Sequence, residues 1–549
     1  MTQPETLKTD EYLPWSRGKG NDVWAMLRAA ATGDLETVQA LAAKDLALLD
    51  CELEYRTPLH FAVRENQLEV AQFLLDHISD PVYGFPESPV EMARSRGNIA
   101  MLKMLQAHLL QRFQVIPEGT IIARHIKNRN LATVRKILSA QPELIHAADE
   151  RTNQPIHWAV MTRQRQLIDF LLENGANINA MRADGARPLD LTNGDYHYRG
   201  WRDLPVEALR PHEVLIGYLL ARGADYDIST AAKIGDVERV RELLDENPAL
   251  ANQMPAYSTY YSGLPLRCAA GAGHLQVVQL LLERGADVNG VERIAPQGGA
   301  LHAALGGKHH DIVRLLLKHG ANPNAMVESS GNCLWTAQRT KAGPEILNLL
   351  AAHGAIYGVE MCCYSGDAVT LGAMLSANPQ LSIEPAQLQT AIENNHQALV
   401  NLILHYQPEL LRHVTIHNGN NPQYLRELAA RGLDLGHANW LGVTPLHRFA
   451  ADGNIEMARV CLEGGTDLNA IDDEYSSTPL GWAARNGKVE MVRWLLERGA
   501  NPKSPLDKPW AQPLEWAKRK KHPEIVQLLE QPEAKLPDAQ SRAADIFSD

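Results

Sequence analysis

The most constraining feature of this sequence is a stretch over residues 444–501 in which one pattern occurs twice in succession. One copy begins with Thr-Pro-Leu-His at Thr444, and a second begins with Thr-Pro-Leu at Thr478, 34 residues later. The glycines near the ends of the two copies, Gly465 and Gly499, are also 34 residues apart. A segment of this length holds two short helices that cannot bury their apolar faces alone, so neighbouring copies must stack into an array.

The residues of one copy predict a helix–turn–helix. Thr444 can cap a helix whose first turn accepts Pro445, because the N–H group at that position has no partner inside a helix. Gly453 can end this inner helix, because glycine adopts a left-handed conformation at little cost. The outer helix that follows has an apolar face, formed by Ile455, Ala458, Val460, Cys461 and Leu462.

A period of this size with Thr-Pro-Leu-His at its head is typical of ankyrin repeats. The sequence therefore resembles the ankyrin-repeat family, in its multi-repeat form of the bacterial type. The resemblance implies an all-α solenoid of about sixteen helix-turn-helix repeats with projecting turns. It is strong over 154–180, 264–356 and 440–502, and weak over 88–110 and 359–438.

The same resemblance divides the chain into three parts. We expect an irregular N-terminal leader over residues 1–21 and an ankyrin-repeat solenoid over 22–530. The polar residues 531–549 are expected to form a disordered C-terminal tail. One insertion, at 192–205, interrupts the solenoid.

Charge and cysteine content limit the classes of function. The 53 Lys and Arg residues are outnumbered by 65 Asp and Glu, which gives a net charge of −12 and argues against nucleic-acid binding. The six cysteines lack metal-ligand spacing and are expected to be buried in a reducing compartment. No apolar run reaches the roughly 20 residues of a membrane span, and residues 1–20 lack the core of a signal peptide. We therefore predict a cytoplasmic monomer without cofactor or metal, and without nucleic-acid or membrane partners.

The histidine of the Pro-Leu-His motif has two possible explanations. In ankyrin repeats this residue usually forms hydrogen bonds to the backbone between neighbouring repeats, and catalysis or metal binding is the alternative. The four copies lie too far apart along the array to share one metal, so we favour the structural role. They are His60, His157, His302 and His447.

The insertion at 192–205 is the largest departure from the period. Gly175 and Gly223 are 48 residues apart, about 14 more than the regular spacing. Its aromatic and charged residues are unlike those of a flexible linker. The segment either packs against the helix ends or presents a binding surface, for which the candidate residues are Tyr196, His197, Tyr198, Arg199, Trp201 and Arg202.

The turns of repeats eight to ten carry a second group of unusual residues. Arg267 replaces the expected histidine, and Cys-Leu-Trp at residues 333–335 replaces Pro-Leu-His. In the ankyrin architecture successive turns line a concave groove, so we expect one continuous patch. Tyr and Trp offer flat stacking surfaces, and Arg offers a planar fork of donors. The candidate binding residues are Tyr257, Tyr260, Tyr261, Arg267, Arg293, His302, Asn332 and Trp335.

Two functions remain open from the sequence. The first is a scaffold that binds a protein partner through a groove centred on repeats six to ten. The alternative is an enzyme or small-molecule binder acting on a polar, sugar-like or carboxylated ligand in the same groove. In that case Glu292, Glu328 and His302 are the candidate proton-transfer residues.

One acidic turn is a weaker candidate site. Asp472, Asp473, Glu474 and Tyr475 follow one another beside Trp440. Charged residues in a turn usually face water, so we expect a solvated tip.

Overall fold

The computed structural model describes residues 2–13, 16–77, 80–84, 87–192, 194, 213–255, 263–292, 295, 297–327 and 331–530. Its described secondary structure is helical apart from one short hairpin and isolated bridges. The chain divides into two compact units, Glu5–Ile356 and Tyr357–Asp549, and the second of these also contains Met1–Pro4.

The first unit consists mainly of consecutive helix pairs, each with an inner helix followed by an outer helix. The α-helices are α1 (Gly20–Thr32), α2 (Leu35–Lys44), α3 (Pro58–Arg64), α4 (Leu68–Asp76), α5 (Pro89–Ser95), α6 (Ile99–Phe113), α7 (Pro117–Lys127), α8 (Leu131–Ala140), α9 (Pro155–Met161), α10 (Arg165–Glu173), α11 (Glu213–Leu220), α12 (Ile228–Ile234), α13 (Val237–Glu246), α14 (Pro265–Ala272), α15 (Leu275–Glu283), α16 (Ala300–Gly306), α17 (His310–Lys318), α18 (Cys333–Arg339) and α19 (Pro344–Ala352). Short 3-10 helices lie at Glu5–Leu7, Leu46–Asp50, Pro142–His146, Pro188–Leu191 and Pro248–Asn252. The antiparallel hairpin joins β1 (Met326–Val327) to β2 (Gly331–Asn332).

The second unit continues with the same kind of element. Its α-helices are α20 (Val359–Ser365), α21 (Ala368–Ala377), α22 (Pro385–Glu393), α23 (Gln397–Tyr406), α24 (Pro422–Ala430), α25 (Pro445–Asp452), α26 (Ile455–Glu463), α27 (Pro479–Arg485), α28 (Val489–Glu497), α29 (Pro513–Lys520) and α30 (Pro523–Glu530). Its 3-10 helices are Pro408–His413 and Pro509–Ala511.

Within each unit the helices form two rows. Inner helices pack on inner helices, as α12 does on α14 and α25 on α27, and outer helices pack on outer helices, as α13 does on α15. Fourteen helix pairs, together with α11 and α24, make sixteen repeats among the described residues. The all-α ankyrin-type solenoid expected from the sequence is confirmed.

Local sequence explains where several outer helices begin. Side-chain oxygens of four cap residues accept the backbone N–H three residues further on, which satisfies a donor that the helix leaves without a partner. These caps are Asp34, Asn130, Asp236 and Asp367. Proline stands at the first position of α3, α9, α25 and α27, where its missing N–H costs nothing.

The core is built from small and branched apolar side chains between the rows. Alanines of the inner helices, such as Ala159 and Ala450, are fully buried and allow close approach of neighbouring helices. All six cysteines are free and buried, as predicted. Among the described residues no helix is both long and apolar enough to cross a membrane.

The boundary regions expected from the sequence are described only in part. Within residues 2–13 and 16–21 the chain forms the Glu5–Leu7 helix, buries Leu7 and pairs Tyr12 with Lys19. Apart from Thr192 and Gly194, the insertion at 192–205 lies outside the described residues, as does the tail at 531–549.

Candidate functional site

The motif histidines His157 and His447 bond within their own repeat through Nδ1 and to the turn that leads into the next repeat through Nε2. Nδ1 of His157 accepts the backbone N–H of Gln154 at 3.0 Å, and its Nε2 donates to the carbonyl of Ala180 at 2.9 Å. His447 forms the same bonds, to Thr444 at 3.2 Å and to Ala470 at 3.1 Å. The structural role expected for this histidine is confirmed at these two positions.

These two histidines are neutral at physiological pH. Burial lowers the pKa of His157 to about 3, with the positive charge of Arg182 acting in the same direction. Burial likewise lowers the pKa of His447 to about 4. A neutral imidazole with one donor and one acceptor matches the observed hydrogen bonds.

Arg267 takes the position of the motif histidine in α14 and replaces its hydrogen bond by an ion pair. Its Nε lies 2.7 Å from Oε2 of Glu292, in the turn before α16, and the side chains are 8% and 1% exposed. Glu292 is held by two backbone hydrogen bonds with Ala295, at 3.2 and 3.1 Å. Burial raises the pKa of Glu292, and the charge and hydrogen bond of Arg267 oppose this rise. The pair therefore joins two repeats inside the structure.

Two glycines make room for this ion pair. A Cβ atom on Gly263 would overlap Oε2 of Glu292 and Nη2 of Arg267, and one on Gly299 would overlap Cδ of Arg267. A side chain at either place would require Arg267 or Glu292 to move.

The next two repeats contain three more candidates. His302 is buried in α16, where its Nε2 lies 2.7 Å from Oγ1 of Thr336. Asn332 caps α18 by accepting the N–H of Trp335 at 2.9 Å. Trp335 is half-buried, and a Cβ on Gly331 of the hairpin would overlap its ring. Trp335 and Asn332 therefore lie at the surface, whereas His302 does not.

The predicted central patch is thus only partly described, and two of its described members, Arg267 and His302, are buried, as is the proton-transfer candidate Glu292. Arg267, Glu292 and His302 were expected to face the groove, but each contacts a neighbouring repeat instead, because the ion pair and the His302–Thr336 hydrogen bond replace the usual histidine contact. The remaining candidates lie outside the described residues: Tyr257, Tyr260, Tyr261, Arg293, Glu328, Tyr196, His197, Tyr198, Arg199, Trp201 and Arg202.

Asparagines tie the turns of these repeats together. Nδ2 of Asn289 donates to the carbonyl of Gly320 at 3.0 Å, and its Oδ1 accepts the N–H of Asn322 at 2.8 Å. Asn252 and Asn324 form the equivalent pairs of bonds with the turns that follow them. We call this series the asparagine ladder. It fixes the spacing of successive turns over repeats eight to ten.

A small pocket lies next to the 3-10 helix Pro188–Leu191. It is shallow and open to solvent, with a cavity volume of about 10 Å³, and its lining includes Asp190, Asp225, Asp227 and Arg187. Asp190 accepts the N–H of Arg187 at 2.9 Å, and burial raises its pKa to about 6. Among the described residues, no three His, Cys, Asp or Glu side chains are placed to hold a metal ion.

The acidic turn at 472–475 is not the solvated tip expected from the sequence. Asp472 is 1% exposed, and Glu474 and Tyr475 are also buried. Oδ2 of Asp472 accepts the indole N–H of Trp482 at 2.8 Å, and its carboxylate also accepts the backbone N–H groups of Tyr475 and Ser477. The expectation was wrong because the turn folds around the carboxylate and Trp482 supplies a further donor.

Sequence reasoning missed an array of rings and guanidinium groups next to this turn. The guanidinium of Arg485 lies 4.1 Å from the ring centre of Tyr475, and that of Arg519 lies 4.4 Å from the ring centre of Trp516. Tyr475 also makes edge contacts with Trp482 and Trp516. We call these five residues the aromatic–arginine stack. The available signal was Trp at the fourth position of two inner helices with Arg three residues later.

Family models of ankyrin repeats match several segments of this chain. A model of ankyrin repeats in three copies matches residues 14–85 and 411–505. A model of ankyrin repeats in many copies matches 266–317, and a model of a single ankyrin repeat matches 153–182.

Short stretches are also similar to curated proteins. The probable E3 ubiquitin-protein ligase XBOS33 of Oryza sativa subsp. japonica is 49% identical over 76 residues, which is 14% of each chain. The E3 ubiquitin-protein ligase XBAT33 of Arabidopsis thaliana is 52% identical over 62 residues, 11% of each chain. The palmitoyltransferase ZDHHC13 of Mus musculus is 26% identical over 139 residues, 25% of this chain and 22% of that protein. The matched stretches thus span a quarter or less of the length of these three relatives.

Proposed function

Since this chain is an ankyrin-repeat protein, we propose that it is a scaffold that binds a protein partner along the turns of repeats six to ten. Ankyrin repeats in general suggest protein interaction, and that coarser function follows from the family. The particular surface is our proposal. The cytoplasmic location and the monomeric state stay predictions from the sequence.

One observation carries the preference for a scaffold over an enzyme. Of the three residues that could transfer protons, Glu292 is in a buried ion pair and His302 is hydrogen-bonded to Thr336 in the next repeat. A general acid or base must reach the proton that it transfers. Both side chains are therefore engaged in contacts with other residues of this protein.

The same repeats offer a surface for a partner. The asparagine ladder holds three successive turns in register. Gln297 is exposed on one of these turns, and its Oε1 accepts the backbone N–H of Met326 in the following turn at 3.3 Å. Trp335 lies half-buried beside that turn. Tryptophan is enriched among the few residues that dominate the affinity of protein interfaces.

Site-specific photo-crosslinking in the full-length chain tests the proposed surface. A benzophenone amino acid is placed at Gln297 or at Trp335, and the control places it at Ile99, which is 67% exposed on the outer helix α6. We expect the same partner protein to be captured from positions 297 and 335 and not from 99. Capture from position 99 alone would contradict the proposal.

Affinity for the captured partner gives the second readout. Trp335→Ala is expected to weaken binding by at least tenfold, about 1.4 kcal/mol, without lowering the melting temperature. Unchanged affinity would exclude Trp335 from the interface. A thermal-shift screen against sugars and organic acids distinguishes the scaffold from the alternative, an enzyme or small-molecule binder. A saturable stabilisation by one of these compounds that Trp335→Ala abolishes would favour the small-molecule site.

A further inference from the structure

The inner helices of the last three repeats carry an aromatic cluster that is separate from the main core of the second unit. Its buried members are Leu441, Val443, Tyr475, Trp482 and Trp516, and the half-buried Trp440, Ala451 and Trp510 pack against them. All of these residues belong to the inner helices α25, α27 and α29 or to the turns before them, and none belongs to an outer helix. The cluster therefore lies on the face of the inner row that points away from the outer row.

Guanidinium groups cover this cluster. The guanidinium carbon of Arg448 lies 5.4 Å from the ring centre of Trp482, and Arg485 and Arg519 belong to the aromatic–arginine stack. Each of the three arginines comes from a different inner helix, so together they form a row across three repeats. All three are half-buried. An arginine that is stacked on a ring keeps the N–H donors at the edge of its plane for an oxygen acceptor.

Two cations of this surface have no ion-pair partner among the described residues. They are Arg448 and Lys508. Within that part of the chain, the buried Nε of Arg448 also has no hydrogen-bond partner, and Nζ of Lys508 donates to Oγ of Ser476 at 3.0 Å. A charge that is partly removed from water without a counter-ion is costly. A carboxylate brought to this surface would lower that cost.

The charge that this part of the chain presents to solvent is positive, although the whole chain carries −12. The inner helices α25, α27 and α29 and the turns 464–478 and 498–512 hold eight basic and five acidic side chains that are exposed or half-buried. Two further acids, Asp472 and Glu474, are buried, and the Asp472 carboxylate already accepts three N–H groups. An anionic partner is therefore favoured over a cationic one.

The spacing of the three arginines selects the shape of the partner. Neighbouring helices pack about 8–10 Å apart, and an extended chain rises about 3.3 Å per residue. Every third side chain of an extended segment therefore advances by about one inner helix. A carboxylate is the matching group at these positions, because its two oxygens can accept two parallel N–H bonds from one guanidinium.

We propose that the row of Arg448, Arg485 and Arg519, together with Lys508, binds an acidic, extended segment of a protein partner that carries Asp or Glu at about every third residue. We call these four residues the arginine face. Carboxylates of the segment accept the N–H groups of the arginines, and the half-buried ring of Trp510 offers an apolar contact to the residues between them. The arginine face lies in the other unit from the turns of repeats six to ten, so it stands or fails independently of the proposed scaffold surface.

Fluorescence anisotropy with the full-length chain tests the arginine face. The probe is a rhodamine-labelled peptide of four Glu-Ser-Gly units. Two labelled peptides serve for comparison, one of four Gln-Ser-Gly units and one that has the composition of the probe with its four Glu in one block. Titrations at about 50 mM salt limit the screening of charges. We expect saturable binding of the probe, at least tenfold weaker binding of the Gln peptide, and at least threefold weaker binding of the block peptide.

Three variants locate the binding. Arg448→Gln removes one charge of the row and is expected to weaken binding of the probe at least fivefold. Arg459→Gln is the matched control, because the guanidinium of Arg459 also lies over a tryptophan, 5.9 Å from the ring centre of Trp494, but on the outer helix α26. It should leave the affinity unchanged. Lys508→Gln, at an exposed position, is expected to weaken binding without changing the melting temperature.

Several outcomes would overturn the proposal. Equal affinities for the Glu and Gln peptides would exclude recognition of carboxylates, and equal affinities for the probe and the block peptide would exclude the spacing. An affinity that neither Arg448→Gln nor Lys508→Gln lowers, or that Arg459→Gln lowers as much, would place the site elsewhere. A single strand of twelve thymidines that binds as tightly as the probe would show a general polyanion surface. No saturable binding of any peptide would exclude the arginine face.

Discussion

The indole N–H of Trp482 donates to Oδ2 of Asp472 at 2.8 Å, and that of Trp158 donates to Asp149 at 2.7 Å, in two different units of the chain. In both cases the aspartate begins a turn and the tryptophan lies on the inner helix that follows. The same contact therefore forms in two repeats, with Asp and Trp nine residues apart in one and ten residues apart in the other.

Removing the carboxylate of this contact should destabilise its repeat. Asp472→Ala leaves three buried N–H donors without their acceptor, so we expect a loss of about 2–4 kcal/mol. Urea unfolding followed by tryptophan fluorescence measures it. The control Asp507→Ala changes an exposed aspartate in the next turn and should stay within about 0.5 kcal/mol. Equal effects of the two variants would contradict this account of Asp472.

The Arg267–Glu292 pair makes a second prediction. Arg267→Ala leaves a buried carboxylate without its charged partner and should destabilise by about 3–5 kcal/mol. The double variant Arg267→Leu, Glu292→Leu should recover much of that loss, because no unpaired charge then remains. Urea midpoints measure both variants. Arg284→Ala is the matched control, since it breaks a solvent-exposed pair with Asp245 that is expected to contribute less than about 1 kcal/mol.

Gly263 should not tolerate a methyl group. A Cβ at this position would overlap both members of the ion pair, so Gly263→Ala is expected to lower the melting temperature by several degrees. Gly217→Ala in α11 is expected instead to raise the melting temperature. An added Cβ there would meet no described atom within 4 Å, and alanine favours a helix over glycine by up to about 1 kcal/mol. Stabilisation by Gly263→Ala would show that the ion pair can move aside.

The buried histidines predict a loss of stability in mild acid. Their pKa values fall from about 6.5 in the unfolded chain to about 3 for His157 and about 4 for His447. The unfolded chain therefore binds more protons than the folded chain between these limits, and the stabilisation present above pH 6.5 is lost as the pH falls. At pH 5 the loss is about 2 kcal/mol for each histidine.

Urea midpoints at pH 7 and pH 5 measure this effect. His157→Gln should be less stable than wild type at pH 7 and should lose less on acidification, since about one fewer proton is taken up on unfolding. For His447 the nearby Trp482, with ring centres 5.6 Å apart, provides a local fluorescence signal. An unchanged pH dependence in His157→Gln would contradict the assignment.

Much of the fold was predictable because the repeat is local. The 34-residue spacing of Thr444 and Thr478, the capping residues and the apolar faces all act within one helix pair, and the structure confirms the helices they predict. The contacts of His157 and His447 between repeats were also predictable, since Ala180 and Ala470 each lie 23 residues further along the chain in the adjoining turn.

The contacts between repeats were less predictable. Arg267 was noticed as a departure from the pattern, but its pairing with Glu292 depends on a turn 25 residues away and on the space that Gly263 leaves. The burial of Asp472 likewise depends on Trp482 in the next helix. A charged residue such as Arg267 or Asp472 is expected from the sequence to face solvent. Its burial becomes apparent only from the residues that surround it in the folded structure.

The asparagine ladder has a consequence for the thermodynamics of recognition. Because Asn289 both donates to and accepts from the following turn, that turn is ordered before any partner arrives. A partner that contacts the turns of repeats eight to ten then meets a spacing that is already set, and association does not have to order that backbone. The loss of conformational entropy falls mainly on the partner, so a stiff partner should bind this surface more tightly than a flexible one that makes the same contacts.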